Sequence, residues 1–159
     1  MSIAEAIRKR IRGRVISNDL LLDEHRTNFG RIFHWEPAAV VLPAGTQDVA
    51  EILRFAREEG IRVSTRGAAH SQSQVAINEG GILIDMKSMG AISPVAADRL
   101  TIEVEGGAIW RDVMLQAWER QVVPPVLTNN LSVTVGGTLS SAGVGVASFR
   151  YGTQADHVV

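Results

Sequence analysis

The apolar run at positions 38–42 (AAVVL) stands between Pro37 and Pro43. Proline lacks an amide donor and disfavours helix in the residue before it. A run this short, closed at both ends, therefore reads as a buried strand. Ala44 and Gly45 then turn the chain. Thr46 stands where an N-cap side chain would accept from first-turn amides, and Asp48 puts negative charge at the positive end of the helix dipole. Val49, Ile52, Leu53 and Ala56 recur at i, i+3, i+4 and i+7, which marks one face of a helix. Gly60 occupies the place of a left-handed C-terminal stop, and positions 61–64 begin a second strand. Strand, helix and strand in so short a span predict a βαβ unit with a right-handed crossover.

Length and charge narrow the function. A chain of 159 residues suits one domain, burying roughly 70% of its extended surface. Sixteen basic and seventeen acidic side chains leave a net charge of −1, so no field exists to grip a phosphate backbone, and nucleic acid is not expected as a partner. The absence of cysteine excludes disulfides, zinc–thiolate sites and thiol nucleophiles, and fits a cytoplasmic protein. The start is polar and basic, and no apolar run approaches the ~18 residues of a membrane span, so neither a secretory signal nor a membrane partner is expected. Residues 1–26 read as an N-terminal helical segment. Ile3, Ile7 and Ile11 share a face, and Arg8, Lys9, Arg10, Arg12 and Arg14 are solvated around it. A mitochondrial presequence is the alternative, opposed by Glu5 and by the scarcity of Ser and Thr.

Beyond the βαβ unit, positions 81–86 (GILIDM) predict a strand, and the alternation at 100–104 (LTIEV) predicts another, half-buried. Gly106 and Gly107 break it. A helix follows over 110–120, with Trp110, Val113, Met114, Ala117 and Trp118 on one face. Pro124 and Pro125 keep 122–126 out of any central strand. Positions 131–159 are rich in Gly, Ser, Thr and Val. The fold class expected is α+β in two subregions, a βαβ lobe over about 37–86 and a more β-rich lobe over about 87–159.

Two stretches suit chemistry. In 64–71 (STRGAAHS) a strand ends in Arg66 and Gly67, and small residues lead to His70 and Ser71. Small residues let a backbone approach a ligand, and successive loop amides can point at a phosphate; a hydrogen-bonded structural histidine is the plainer alternative. In 134–145 (TVGGTLSSAGVG) four glycines and four hydroxyl residues carry no charge. That suits close approach of a large anionic or heteroaromatic ligand, or a glycine-rich turn. Gly143 and Gly145 begin a dinucleotide-type pattern, but Ser148 breaks it, and no GxxxxGK[ST] or GxSxG occurs. The four histidines lack ligand spacing, so no metal site is expected.

Together RGAAHS, GGILIDM, TVGGTLSSAG and FRYGTQ resemble the FAD-binding (PCMH-type) domain of the vanillyl-alcohol-oxidase superfamily, most closely the cytokinin dehydrogenases and their bacterial FAD-linked oxidase relatives. The stretch Thr27-Asn28-Phe29-Gly30, followed by PAAVVLPAGTQDVAEIL, is similar to that family's opening segment. The resemblance spans about residues 27–159 and implies an FAD-binding fold of two α+β lobes with the cofactor between them. It implies that Thr65, Gly67, Ala68, Ala69 and Ser71 line the diphosphate, and that His70 bonds covalently to the flavin 8α-methyl carbon. A neutral imidazole is a suitable nucleophile for that, and without cysteine no second covalent link can form. Thr134, Gly137, Ser140 and Val144 map to flavin contacts. The family usually has glycine where this chain has Ala69; a methyl group fits there if the backbone keeps an ordinary angle. Asn129 occupies the position of the family's catalytic aspartate and cannot ionise, so it cannot act as a general base. The implied activity is hydride removal from a small amine or alcohol. Residues 156–159 look like the start of another strand, so the chain is expected to match the N-terminal part of a longer oxidoreductase whose substrate domain, or a second chain, completes the site. An FAD-binding module without turnover of its own is the alternative.

Overall fold

The computed structural model describes residues 1–17, 20–21 and 23–159. They form two compact units, Met1–Met89 and Gly90–Val159.

The first unit is built on a four-stranded sheet. Its strands are β1 (Arg14–Ser17), β2 (Ala39–Leu42), β3 (Val63–Arg66) and β4 (Ile82–Asp85), in the order β1-β2-β4-β3. β1 runs antiparallel to β2, whereas β4 is parallel to both of its neighbours. The predicted βαβ unit is present as β2, helix α3 (Thr46–Glu59) and β3, with β4 inserted between its two strands. The apolar runs AVVL and ILID suit such a sheet, because parallel strands are covered on both faces. Side chains alternate across it. Ala39, Val41, Ile82 and Ile84 pack on one face with Ala4, Ala6 and Ile7 of α1 (Ile3–Arg8) and with Ile52, Phe55 and Ala56 of α3. Val40 and Leu83 pack on the other face with Leu21.

The N-terminal reading needs correction. The helix ends at Arg8, before Ile11, and the chain then makes β1 and a short helix α2 (Asp23–Arg26). Residues 1–26 are thus not helical throughout: the arginine-flanked stretch RVIS is an edge strand. Its charge hid it, since Arg14 is exposed while Val15 is buried. The α1 start is set by a capping box between Ser2 and Glu5.

Thr46 is not the N-cap of α3. Gly45 takes that place, with no side-chain cap bond. Asp48 does the work instead. Its buried carboxylate accepts from the amides of Ala44 (2.8 Å), Gly13 (2.8 Å) and Arg12 (3.1 Å). It therefore ties the helix start to the turn that leads into β1. Burial would raise its pKa, but these three amides outweigh burial and lower it. Gly60 closes the helix in the left-handed region (φ 65°), with the Ile61 amide reaching back to the Ala56 carbonyl at 2.8 Å.

In the second unit the alternation at 100–104 gives isolated antiparallel bridges, Ile92 with Val104 and Ala96 with Thr101. No continuous strand forms there, because Leu100 sits in a turn at φ 51°. Helix α4 (Trp110–Trp118) buries Trp110, Val113 and Ala117. Trp118 is 63% exposed: at 3.6 residues per turn it lies about 80° around the helix from Trp110. The glycine-rich stretch folds as α5 (Val135–Leu139), a further short helix, α6, spans Ser148–Tyr151, and the expected strand opening at the end is a 3₁₀ turn, Gln154–His157.

The Asp48 linkage has a measurable sign. The folded pKa lies below the unfolded value of 3.8, so the contribution is full above pH 3.8 and is lost as pH falls through the lowered folded value. Asp48→Asn is expected to cost about 2–3 kcal/mol in urea denaturation at neutral pH, with the gap to the parent narrowing at pH 3. An equal gap at both pH values contradicts this.

Candidate functional site

The loop carrying Gly67, Ala68, Ala69, His70 and Ser71 leaves the carboxyl end of β3, where Arg66 pairs in register with Asp85 of parallel β4. The carboxyl ends of parallel strands are where open α/β sheets take ligands. Thr65 lies one residue before, exposed on β3, and His70 is exposed on the loop. Ala69 has φ 53°, so the condition on which a methyl group fits there without strain, an ordinary backbone angle, is not met. One left-handed residue among ordinary ones turns successive amides to one side. Among the described residues, the amides of Gly67, Ala68, Ala69 and Ser71 donate to no other group. The Ser71 hydroxyl lies 2.8 Å from that of Ser73 and accepts from the Ser73 amide.

Behind the loop is a buried charged cluster that sequence reading missed. Arg66, Asp85 and His25 are all at most 5% exposed. Arg66 Nη1 donates to the Glu24 carbonyl, and its Nε has no partner among the described residues. Asp85 accepts from the Lys87 amide (3.0 Å), and the Lys87 ammonium lies 3.5 Å from its second oxygen. Burial lowers the pKa of Arg66, with Asp85 and Glu24 opposing, yet a guanidinium stays charged. Burial, then the Arg66 charge, lowers that of His25. Four unused amides in a loop that starts at a buried arginine are a donor set for an anion, and it fits a diphosphate. The one sequence signal for it was an arginine placed directly before the loop glycine.

The remaining predicted residues belong to the second unit. Thr134 is buried and caps α5, accepting from the Gly137 amide at 3.3 Å. Gly137 is exposed, as is Ser140, whose hydroxyl donates to the Gly136 carbonyl at 2.7 Å. Val144 is 61% exposed, and Asn129 is exposed in a turn. Two glycines of this stretch serve the chain's own packing. A Cβ at Gly143 would stand 2.2 Å from Gln154 Oε1, and one at Gly145 would stand 1.8 Å from the Leu127 carbonyl. Trp110 Nε1 donates to Thr138 Oγ1 at 2.8 Å, joining α4 to α5.

A concavity of about 240 Å³ in the first unit is lined by Trp35, Arg62, Ser64 and Asn78 among others. It holds none of the predicted residues. Its polar groups bond one another, Asn78 Nδ2 to Ser64 Oγ at 3.1 Å and Arg62 to the Glu79 carbonyl at 3.0 Å.

Two outcomes test this geometry. An L-residue in the left-handed region costs roughly 1 kcal/mol, so Ala69→Gly is expected to gain about 0.5–1 kcal/mol in denaturant unfolding. A loss of stability there contradicts the φ. The folded pKa of His25 lies below the unfolded 6.5, so the stability of its neutral form is lost as pH falls below about 6.5. Thermal melts from pH 7 to pH 5 should slope less in His25→Gln; an unchanged slope contradicts the assignment.

Comparison with known proteins gives concordant findings. The FAD binding domain family matches residues 37–159. An uncharacterised oxidoreductase, ORF5 of the fasciation locus of Rhodococcoides fascians, is 37% identical over 142 residues, covering 89% of this chain and 32% of that protein. Cytokinin dehydrogenase 1 of Oryza sativa subsp. japonica is 40% identical over 139 residues, covering 83% of this chain and 26% of its own length. The crystal structure of 6-hydroxy-D-nicotine oxidase from Arthrobacter nicotinovorans superposes with a TM-score of 0.82 at 26% identity, covering 92% of this chain and 32% of that one. The chain thus spans about a third or less of the length of the relatives it matches.

Proposed function

Since the chain belongs to the FAD-binding-domain family, we propose that it is the cofactor-holding part of a flavin-dependent oxidoreductase that removes hydride from a small amine or alcohol. The observation that carries this is the loop after β3, which starts at the buried Arg66 and whose Gly67, Ala68, Ala69 and Ser71 amides donate to no group among the described residues. Gly67, Ala68, Ala69 and Ser71 hold the diphosphate through backbone N–H groups, with Thr65 alongside, and Arg66 supplies fixed positive charge. FAD supplies the two-electron hydride acceptor. His70, whose exposure leaves the imidazole accessible, would carry the link to the flavin methyl carbon. The new N–C bond replaces a methyl C–H and the imidazole N–H, the two hydrogens and two electrons pass to the flavin ring, and dioxygen would reoxidise it. Thr134, Gly137, Ser140 and Val144 contact the flavin. Asn129 orients the substrate through its amide and takes no proton. Similarity to cytokinin dehydrogenase 1 supports the oxidoreductase class, and the amine or alcohol substrate is part of the proposal.

A second reading, an FAD-binding module without turnover of its own, is favoured by that same asparagine in the place of a base. Turnover of an amine or alcohol with an artificial electron acceptor would reject it.

The test is a denaturing gel. The parent, loaded with FAD and denatured, is expected to retain flavin fluorescence, and His70→Ala to lose at least 90% of it while still binding FAD under native conditions. Protein that takes up no FAD contradicts the cofactor assignment. Equal retention by His70→Ala contradicts the tether.

A further inference from the structure

The segment before β2 grips the His70 loop along its whole length. Arg66, where the loop starts, donates to the Glu24 carbonyl. Asn28 Nδ2 donates to the Gln72 carbonyl at 2.8 Å, at the far end. Between these anchors the Phe29 ring lies with its centroid 4.0 Å from that of His70, tilted by 51°.

The grip is built from a rigid turn. Asn28 is buried, and its Oδ1 accepts from the amides of Ile32 (3.0 Å) and Phe33 (3.2 Å). Thr27 and His34 close the turn with an antiparallel bridge. Asn28 thus uses its donor on the loop and its acceptor on its own turn. Phe29 is 55% exposed and belongs to neither core cluster of the first unit. A large aromatic side chain held in water by a locked turn is not there for core packing, and His70 is the ring it touches.

We propose that Phe29 is a positioning residue for His70, and that Asn28 fixes where Phe29 stands. A tilted aromatic pair of this kind favours one imidazole orientation over its alternatives by about three- to tenfold. Its consequence for tethering rests on the reading of His70 as the flavin-bearing residue; the contact itself does not.

The experiment uses the full chain, free of cofactor and then with FAD. Histidine-labelled parent protein is expected to show His70 ring protons shifted upfield by the Phe29 ring current, with side-chain couplings of one rotamer. In Phe29→Leu the shift disappears and the couplings average, with a melting temperature close to the parent's. On adding FAD, denaturation-resistant flavin accumulates three- to tenfold more slowly in Phe29→Leu and recovers in Phe29→Tyr, while total FAD bound before denaturation changes less than twofold. Asn28→Asp, which removes the donor to Gln72, is expected to lose the same upfield shift. His70 ring signals identical in parent and Phe29→Leu overturn the proposal, as do equal tethering rates. If the parent binds FAD but retains none after denaturation, the tether reading fails and the ring signals alone decide the positioning role.

Discussion

The parallel pairing of β4 with both β2 and β3 determines where everything else in the first unit can go. Ile82, Leu83 and Ile84 are wholly buried, so each face of this central strand needs its own cover. α1 and α3 cover one face, and Leu21 with Leu42 and Ile16 covers the other. The register then puts Arg66 opposite Asp85 at the last rung. Both charges are thereby placed inside the protein at the point where the chain leaves the sheet. A buried ion is costly unless neighbours compensate it. Asp85 is compensated by Lys87, and Arg66 by the Glu24 carbonyl.

That placement connects the sheet to the chemistry proposed for the loop. The loop begins on a fixed cation, turns through a left-handed alanine, and ends where Asn28 holds the Gln72 carbonyl. Among the described residues, the amides of Gly67, Ala68, Ala69 and Ser71 take no part in these anchors, which use side chains and carbonyls at the two ends of the loop. Strain at Ala69 is the local cost of that shape, tolerable because both ends are pinned.

Much of this was legible in sequence, for identifiable reasons. Prolines and a continuous apolar run mark β2, and a 3.6-residue period with Gly60 at its end marks α3. Both signals are local. The loop at 66–71 was found because Gly, Ala and His cluster after a strand. The Asp48 carboxylate, by contrast, reaches residues 12 and 13, more than thirty positions away, and no local rule encodes that, so Thr46 looked like the cap. β1 was hidden by the exposed Arg14 at its start, since an edge strand needs only one buried residue, here Val15. The His25–Arg66–Asp85 cluster joins three segments far apart in the chain, so no local pattern shows it. In the second unit the glycines at 143 and 145 invited a ligand reading, whereas the chain's own backbone and Gln154 fill the space beside them.

The loop after β3 is proposed to hold the cofactor's diphosphate through its backbone amides. Amide hydrogen exchange of the full chain, with and without FAD, reads those groups one by one. Gly67, Ala68, Ala69 and Ser71 are expected to exchange fast in the free protein and to become strongly protected on FAD binding. FAD binding with protection elsewhere, and unchanged exchange at these four amides, would contradict it.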